Sequence, residues 1–503
     1  MSGPGQTVSI GSRILNGIAW KAASQITLQV TRVVVALVLA RLLTPHDWGL
    51  AAMVLVFSGF VVVFTDNALG TALIQRRDLQ DGDRSTVFWF SAGVGVLLAL
   101  VGIALAGPLA SFYGEDDVRP LFVALSCGFV VSALGTTQMA LLVREMQFAR
   151  LELRQIAATA TGAVVGIGLA LAGKGAWAIV GQILGEATMS TLLLWVLSPW
   201  RPSLTFSTAS LRRLGGFAGN VFAENVLWQA GRTVASALIG RGLGAAALGT
   251  YTLATTVILM PFARLAAPLQ QVFFPAFSRI SDDRERMADI WIRATRIVGA
   301  FSIPALVGLL VVAPDFVQVV LGPKWAEATT VIRILAVVGI VQSLHTLNGE
   351  VLMALGKAGT LLRYTALWTA ATLTAVAIGL HWELTGVAVA YAIAIVVVEP
   401  LRAFVTTRAL GIPFSRLVLS LSGVVQAATL MAAALLAARE LLLSTATPDA
   451  LRLGLLVLLG CAVYVPASIW RAPDVTRELT GVLSRRRRRA PARVEPLDAA
   501  ADY

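Results

Sequence analysis

The stretch QVTRVVVALVLAR, Gln29 to Arg41, sets a guanidinium at Arg32 inside a run that otherwise reads as lipid-facing helix. Two hundred residues later QAGRTVASALIGR, Gln229 to Arg241, has Gln229, Arg232 and Arg241 in the same places. Arg32 and Arg41 are nine residues apart, or about 13 Å of helix. With Arg41 at one interface, Arg32 falls near the middle of a ~30 Å hydrocarbon core, and Lys21, about 30 Å from Arg41 along the axis, reaches the opposite interface. A mid-membrane arginine costs about 2.5 to 3.5 kcal/mol even on a lenient insertion scale, and from there neither surface is within easy reach of its side chain. It must face water, a partner or a ligand.

The bulk composition agrees with a membrane setting. Of 503 residues 57% are hydrophobic and 14% charged, and the mean hydropathy is +0.78, which excludes an ordinary soluble protein of this length. Apolar stretches of about 18 residues or more, each able to span the hydrocarbon core, recur about fourteen times. They centre near residues 30, 58, 96, 130, 162, 187, 228, 257, 302, 342, 369, 395, 427 and 460. Transmembrane strands would alternate in polarity over ~10 residues and these segments do not, so an all-α polytopic membrane protein is expected.

Several functions are disfavoured. Cys127 and Cys461 lie far apart inside spans, and His46, His345 and His381 are scattered, so neither a disulfide framework nor a metal site is expected. GLALAGKG, Gly168 to Gly175, approximates a phosphate-binding loop, but no Ser or Thr follows Lys174 and no strand precedes it. No nucleophile-and-base arrangement stands out and the loops are too short for a catalytic domain. Neither an enzyme nor a resident cofactor is expected.

A formal charge of +12 is spread over alternate short loops, which speaks for topology and against nucleic acid. Arg76, Arg77 and Arg84, then Arg144, Arg150 and Arg154, then Arg201, Arg212 and Arg213, then Arg279, Arg284 and Arg286 follow the even-numbered spans. The other loops are poor in positive charge, and YGEDDVRP carries Glu115, Asp116 and Asp117. Both termini are therefore expected on the cytoplasmic side. The Arg485 to Arg489 run is read as an anchor at anionic lipid. The first helix lacks a cleavage-site pattern and is read as retained.

The opening match extends into a repeat. At an offset of 200, Gly49 also aligns with Gly249, and at a slightly different offset Thr137 and Arg154 align with Thr346 and Arg363. An even number of spans preserves orientation, so the organisation predicted is a parallel repeat. It comprises an N-lobe over 1–200 (spans one to six), a C-lobe over 201–412 (spans seven to twelve), two added spans over 413–471 and a basic, disordered cytoplasmic tail over 472–503. The connection Ser198 to Arg213, with two prolines, is the expected hinge.

Lys21, Gln25, Gln29 and Arg32 follow i, i+4, i+8, i+11 and share one helix face; Asn225, Gln229, Arg232 and Ser236 repeat it. Two matched cationic stripes predict a hydrated cavity suited to an anionic, hydroxyl-rich cargo. The competing expectation is an ion pair inside each bundle, Arg32 with Asp66 or Arg232 with Glu224. Among the intramembrane acids Asp66, Glu186, Glu224, Glu350 and Glu399, the candidates for coupling to a proton or sodium gradient are Asp66, Glu224 and Glu350. His345 lies beside Asn348 and Glu350. Gly162 with Gly166 and Gly181 with Gly185 are small-xxx-small pairs that predict close packing of spans five and six.

RLLTPHDWGLAAM (Arg41 to Met53), ALIQRRDL (Ala72 to Leu79), MALLVREMQFARL (Met139 to Leu151), FFPAFSRISDDRERM (Phe273 to Met287) and LGPKWAEA (Leu321 to Ala328) resemble the polysaccharide transporters of the multidrug/oligosaccharidyl-lipid/polysaccharide exporter superfamily. The closest branch is the colanic acid and exopolysaccharide type of Wzx flippase, over about residues 10 to 415. The resemblance implies two six-helix lobes facing one another in a V, with two C-terminal helices appended. It also implies movement of a polyprenyl diphosphate-linked oligosaccharide across the bacterial cytoplasmic (inner) membrane by alternating access. Implied partners are the lipid-linked oligosaccharide, membrane lipid, a polysaccharide polymerase and glycosyltransferases, and Arg32 and Arg232 sit where cavity arginines fall in the related lipid II flippases. The alternatives are a lipid II-type peptidoglycan precursor flippase and a cation-coupled small-molecule antiporter.

Overall fold

The computed structural model of the chain describes residues 27–66, 73, 81–208, 219–475 and 477–478, with backbone alone at 57–66, 81, 219–228, 230–232, 259–269 and 271–272. The described residues are helical nearly throughout and contain no strand. Helix α1 covers 27–42. It is followed by α2 (Pro45–Asp66), α3 (Asp81–Tyr113), α4 (Val118–Ala133), α5 (Thr136–Arg144), α6 (Phe148–Leu171) and α7 (Trp177–Leu197). After residues 209–218 come α8 (Gly219–Arg279), α9 (Arg284–Phe316), α10 (Ala328–Leu344), α11 (Asn348–Ala354), α12 (Ala358–Gly379), α13 (Glu383–Leu410), α14 (Phe414–Ser444) and α15 (Asp449–Arg471).

Each expected span centre falls on a described helix. Helix α8 carries two of them, near 228 and 257, because its 61 residues are broken at Gly244, where φ is 82° and ψ 178°. Only glycine adopts that backbone without strain. Nine stretches among the described residues are long and apolar enough to cross a membrane, running from Gly82–Tyr113 to Asp449–Arg471. One of them, Ala358–Leu410, holds two expected spans on either side of the tight turn Leu380–Trp382. Leu100, Val164, Val196, Leu419 and Leu458 are 60 to 76% exposed. Large apolar side chains left open in such numbers need lipid as their solvent. The chain is an all-α, multi-pass membrane protein.

Two compact units are present. The first gathers the chain up to Leu265 with Phe316–Leu335 and Leu362–Val398; the second gathers Ala266–Asp315, Ala336–Leu361 and the chain from Glu399 onward. In the first unit α6 and α7 lie backbone to backbone. A Cβ on Gly162 would stand 2.7 Å from the Gln182 carbonyl oxygen, one on Gly166 would stand 3.1 Å from that of Ala178, and one on Gly185 would stand 3.7 Å from the Gly162 Cα. The predicted small-residue pairs thus pack on one another, and an alanine at Gly162 would part the helices.

The second unit is tied by charge. Asp315, 1% exposed and just past Pro314 in α9, accepts from Arg439 Nε of α14 at 2.8 Å and from Arg452 Nε of α15 at 2.6 Å. Toward the other end of α15, Tyr464 Oη donates to the Ala300 carbonyl at 2.7 Å and Arg296 pairs with Asp474 and Glu478. The two C-terminal helices are therefore fixed to α9 along its length. Their charges meet partners, as low-dielectric surroundings require.

Candidate functional site

Arg32 meets a carboxylate. Its Nη2 donates to Glu186 Oε1 at 3.2 Å, with both side chains 26% exposed. Glu186 stands in mid-α7, facing α6 at the point where Gly162 allows the closest approach; a Cβ there would lie 3.0 Å from the Glu186 Cβ. On α6 one turn of helix presents Gln155 and Thr159, whose Nε2 and Oγ1 donate to the same Oε1 at 2.9 and 3.0 Å. Arg154 extends the network, donating to Gln155 Oε1 at 2.9 Å and to Ser190 Oγ at 3.0 Å. Three helices, α1, α6 and α7, thus hold two guanidiniums and one carboxylate in a single chain of contacts.

The remaining members of the predicted stripes divide three ways. Gln29, one turn before Arg32, holds its Nε2 out of water without a hydrogen-bond partner among the described residues. Gln229 donates to Thr233 Oγ1 at 3.3 Å, and Thr233 donates to the Val56 carbonyl at 3.1 Å, so this turn of α8 is held to α2. Lys21 and Gln25 lie outside the described residues, as do the side chains of Asn225, Arg232, Asp66 and Glu224. The expected ion pair within the bundle exists for Arg32, but the acid in it is Glu186, where the sequence had offered Asp66. Separation along the chain hid this partner: 154 residues lie between the two groups, and helix periodicity does not say which helices pack together.

Glu350 and His345 lie in the second unit. Glu350 opens α11 beside Gly349, where a Cβ would lie 2.7 Å from Arg402 Nη2. His345 Nδ1 is 2.5 Å from the Val341 carbonyl oxygen, and Asn348 Oδ1 accepts from Trp291 Nε1 at 3.1 Å. His345 and Asn348 thus have backbone and indole partners. Among the described residues no group of three or more His, Cys, Asp or Glu is placed to hold a metal ion.

A second junction lies at the end of α1. Thr44 caps α2: its N and Oγ1 donate to Asp47 Oδ2 at 3.0 and 2.6 Å, and Asp47 N donates back to Thr44 Oγ1 at 3.1 Å. Here α2 crosses the start of the second part of α8. A Cβ on Gly49 would stand 1.7 Å from the Ala245 carbonyl oxygen, and one on Gly249 would stand 1.9 Å from that of Pro45. Trp325, 1% exposed, donates from Nε1 to the Ala40 carbonyl at 2.7 Å, and Arg41 Nη1 donates to the Val319 carbonyl at 2.6 Å. The glycines aligned by the sequence repeat are thus in direct contact, and the segment after α9 latches the end of α1.

With this geometry in hand, comparison with known proteins identifies the lineage. The family model described as "Polysaccharide biosynthesis protein" matches residues 38–330, more than half of the chain. The chain belongs to the polysaccharide biosynthesis protein family. Similar members include the lipopolysaccharide biosynthesis protein WzxC of Escherichia coli, 27% identical over 74% of this chain and 76% of the relative. The teichuronic acid biosynthesis protein TuaB of Bacillus subtilis is 26% identical over 70% and 73%. The succinoglycan biosynthesis transport protein ExoT of Rhizobium meliloti is 26% identical over 73% and 74%. Among solved structures, the lipid II flippase MurJ in an inward closed conformation shares the fold with a TM-score of 0.72 at 15% identity, covering 90% of this chain and all of that one. An inward-facing multidrug resistance transporter of the MOP superfamily gives 0.58 at 15% identity, covering 78% and 98%. The chain thus shares the fold of these two solved structures.

Proposed function

We propose that the protein is a flippase that moves a polyprenyl diphosphate-linked oligosaccharide, a lipopolysaccharide or exopolysaccharide repeat unit, across the bacterial cytoplasmic membrane by alternating access. Family membership and the polysaccharide-related names of the relatives support the cargo class. The single observation that carries the holding mechanism is the part-exposed Arg32 guanidinium, set in the apolar helix α1 and met by Glu186 through one nitrogen. A guanidinium has five donors in a planar fork, and phosphate oxygens match that fork. The diphosphate binds Arg32 and Arg232, the sugars hydrogen-bond to Gln25, Gln29, Asn225 and Gln229 with Lys21 at the inner interface, and the polyprenyl chain remains in lipid.

The carrier changes only which side its cavity faces, so no covalent bond is made or broken. In this reading 1–200 and 201–412 act as lobes rocking about Ser198 to Arg213, and 413–471 rides with the second. Both termini are cytoplasmic, and the crossing of Gly49 with Gly249 lies at the outer end. A proton or sodium gradient drives the cycle through Asp66, Glu224 or Glu350. Glycosyltransferases supply the lipid-linked oligosaccharide on the inner side, and a polysaccharide polymerase consumes it outside.

The test is polymer export by cells carrying the double variant Arg32→Ala, Arg232→Ala at normal membrane abundance. Export should be abolished. Retained export at that abundance overturns the assignment of the cargo site.

A further inference from the structure

An empty carrier must return through the same closed state that the loaded one traverses, and there an arginine without its cargo is a bare charge out of water. We propose that Glu186 is the internal counter-ion that takes the place of the cargo's phosphate on Arg32 during that return, and that cargo binding displaces it; this rests on the flippase reading above.

The geometry fits an exchangeable contact. Glu186 touches Arg32 through a single nitrogen at 3.2 Å, whereas strong guanidinium–carboxylate pairs are bidentate and shorter. Both partners are 26% exposed, so a ligand has access to the pair. Glu186 does not depend on Arg32 for its place: Gln155 and Thr159 still hold Oε1 at 2.9 and 3.0 Å when the guanidinium swings away. Once displaced, the carboxylate therefore retains two donors. Gln29, one turn from Arg32, keeps an Nε2 out of water with no acceptor among the described residues. That donor is available to the same phosphate. The step is an exchange of hydrogen-bond acceptors on Arg32, with no proton or electron moved.

The exchange makes opposite demands on binding and turnover. Removing the charge of Glu186 takes away the competitor, so a diphosphate ligand should bind more tightly. The same change leaves Arg32 uncompensated in the empty carrier, so cycling should slow. A residue with a merely structural role would weaken both.

The experiment uses the purified full chain and farnesyl diphosphate as probe, with binding measured by calorimetry and export measured in cells. Glu186→Gln, nearly isosteric and still able to accept from Gln155 and Thr159, should tighten probe binding about threefold to tenfold and lower export at least as much. Glu186→Asp should restore most export. The inference is overturned if Glu186→Gln leaves probe affinity unchanged or weakens it while wild type binds and Arg32→Ala does not. If wild-type protein fails to bind the probe, the cargo assignment and the inference fall together. If Glu186→Gln lowers membrane abundance, the affinity ratio of Glu186→Asp to wild type decides, with unchanged export and weakened binding counting against the exchange.

Discussion

Gly49 lies so close to Ala245 that a methyl group built on it would stand 1.7 Å from the Ala245 carbonyl oxygen, and its repeat partner Gly249 approaches Pro45 in the same way. The atoms in the way are backbone, so no rotamer change makes room. Gly49→Ala and Gly249→Ala should each destabilise the protein by about 1 to 3 kcal/mol, the usual cost of overpacking. Because the Gly249 Cβ would also meet the Gly49 nitrogen at 2.7 Å, one separation of α2 from α8 relieves both. The double variant should then cost less than the sum of the singles. Melting of the four proteins in one detergent checks this, and strict additivity would show that the two glycines do not share a contact.

How much of this was legible in the sequence varies by kind of feature. Helix positions were, because ~20 apolar residues are a signal that survives without any tertiary information. The Gly49 and Gly249 match was visible as a repeat, yet that the copies touch each other was not, since alignment reports ancestry and not packing. Glu186 stands out as an intramembrane acid, but nothing in the sequence names its partner, and Asp66 is as plausible a carboxylate for Arg32 on sequence alone. The cluster of Asp315, Arg439 and Arg452 is not legible in the sequence. Its members are separated by 124 and 137 residues, and the only clue was that each is a charge at the edge of an apolar run, where an interfacial position explains it equally well.

Asp315 is the residue on which that cluster depends. It is 1% exposed and accepts from Arg439 and Arg452, whose side chains are 17% and 10% exposed. Removing their shared, fully buried partner leaves Arg439 with only the exposed Glu440 at 3.9 Å and Arg452 with only Asp449 as carboxylate partners among the described residues, and breaking such a buried pair costs about 3 to 5 kcal/mol. Asp315→Ala should lose stability in that range. Arg439→Ala should cost less, because Asp315 keeps Arg452, and Arg452 keeps Asp449 at 2.6 Å. Thermal melting ranks the two, and a reversed order would refute the shared-anion account.

Lys324, between α9 and α10, gives a pH signature. Burial lowers its pKa from the ordinary lysine value, the Arg41 charge lowers it further, and Asp47 acts in opposition. The folded state therefore binds fewer protons than the unfolded chain between the lowered value and about 10.4, and stability rises with pH across that window. Lys324→Met removes the group. The variant should melt higher than wild type at neutral pH, with the gap closing as the pH approaches about 10. Melting curves in a series of buffers check it; a gap that widens with pH would mean that the Asp47 attraction dominates.

Arg32→Lys separates a structural arginine from one that holds cargo. Toward Glu186 the guanidinium uses one nitrogen at 3.2 Å, a contact that an ammonium can reproduce, so a purely structural role predicts near-normal stability and near-normal export. A diphosphate asks for more: two parallel donors in a fixed plane, which lysine lacks, and a cation that sheds water readily, which an ammonium does not. The loss of one charge-assisted hydrogen bond is worth about 1.5 to 3 kcal/mol, roughly tenfold or more in affinity. The lysine variant should accordingly melt like wild type, keep its membrane abundance and export about a tenth of the polymer or less. Export within twofold of wild type would assign Arg32 to the bundle, with Glu186 as its permanent partner, and would move the cargo's phosphates elsewhere in the chain.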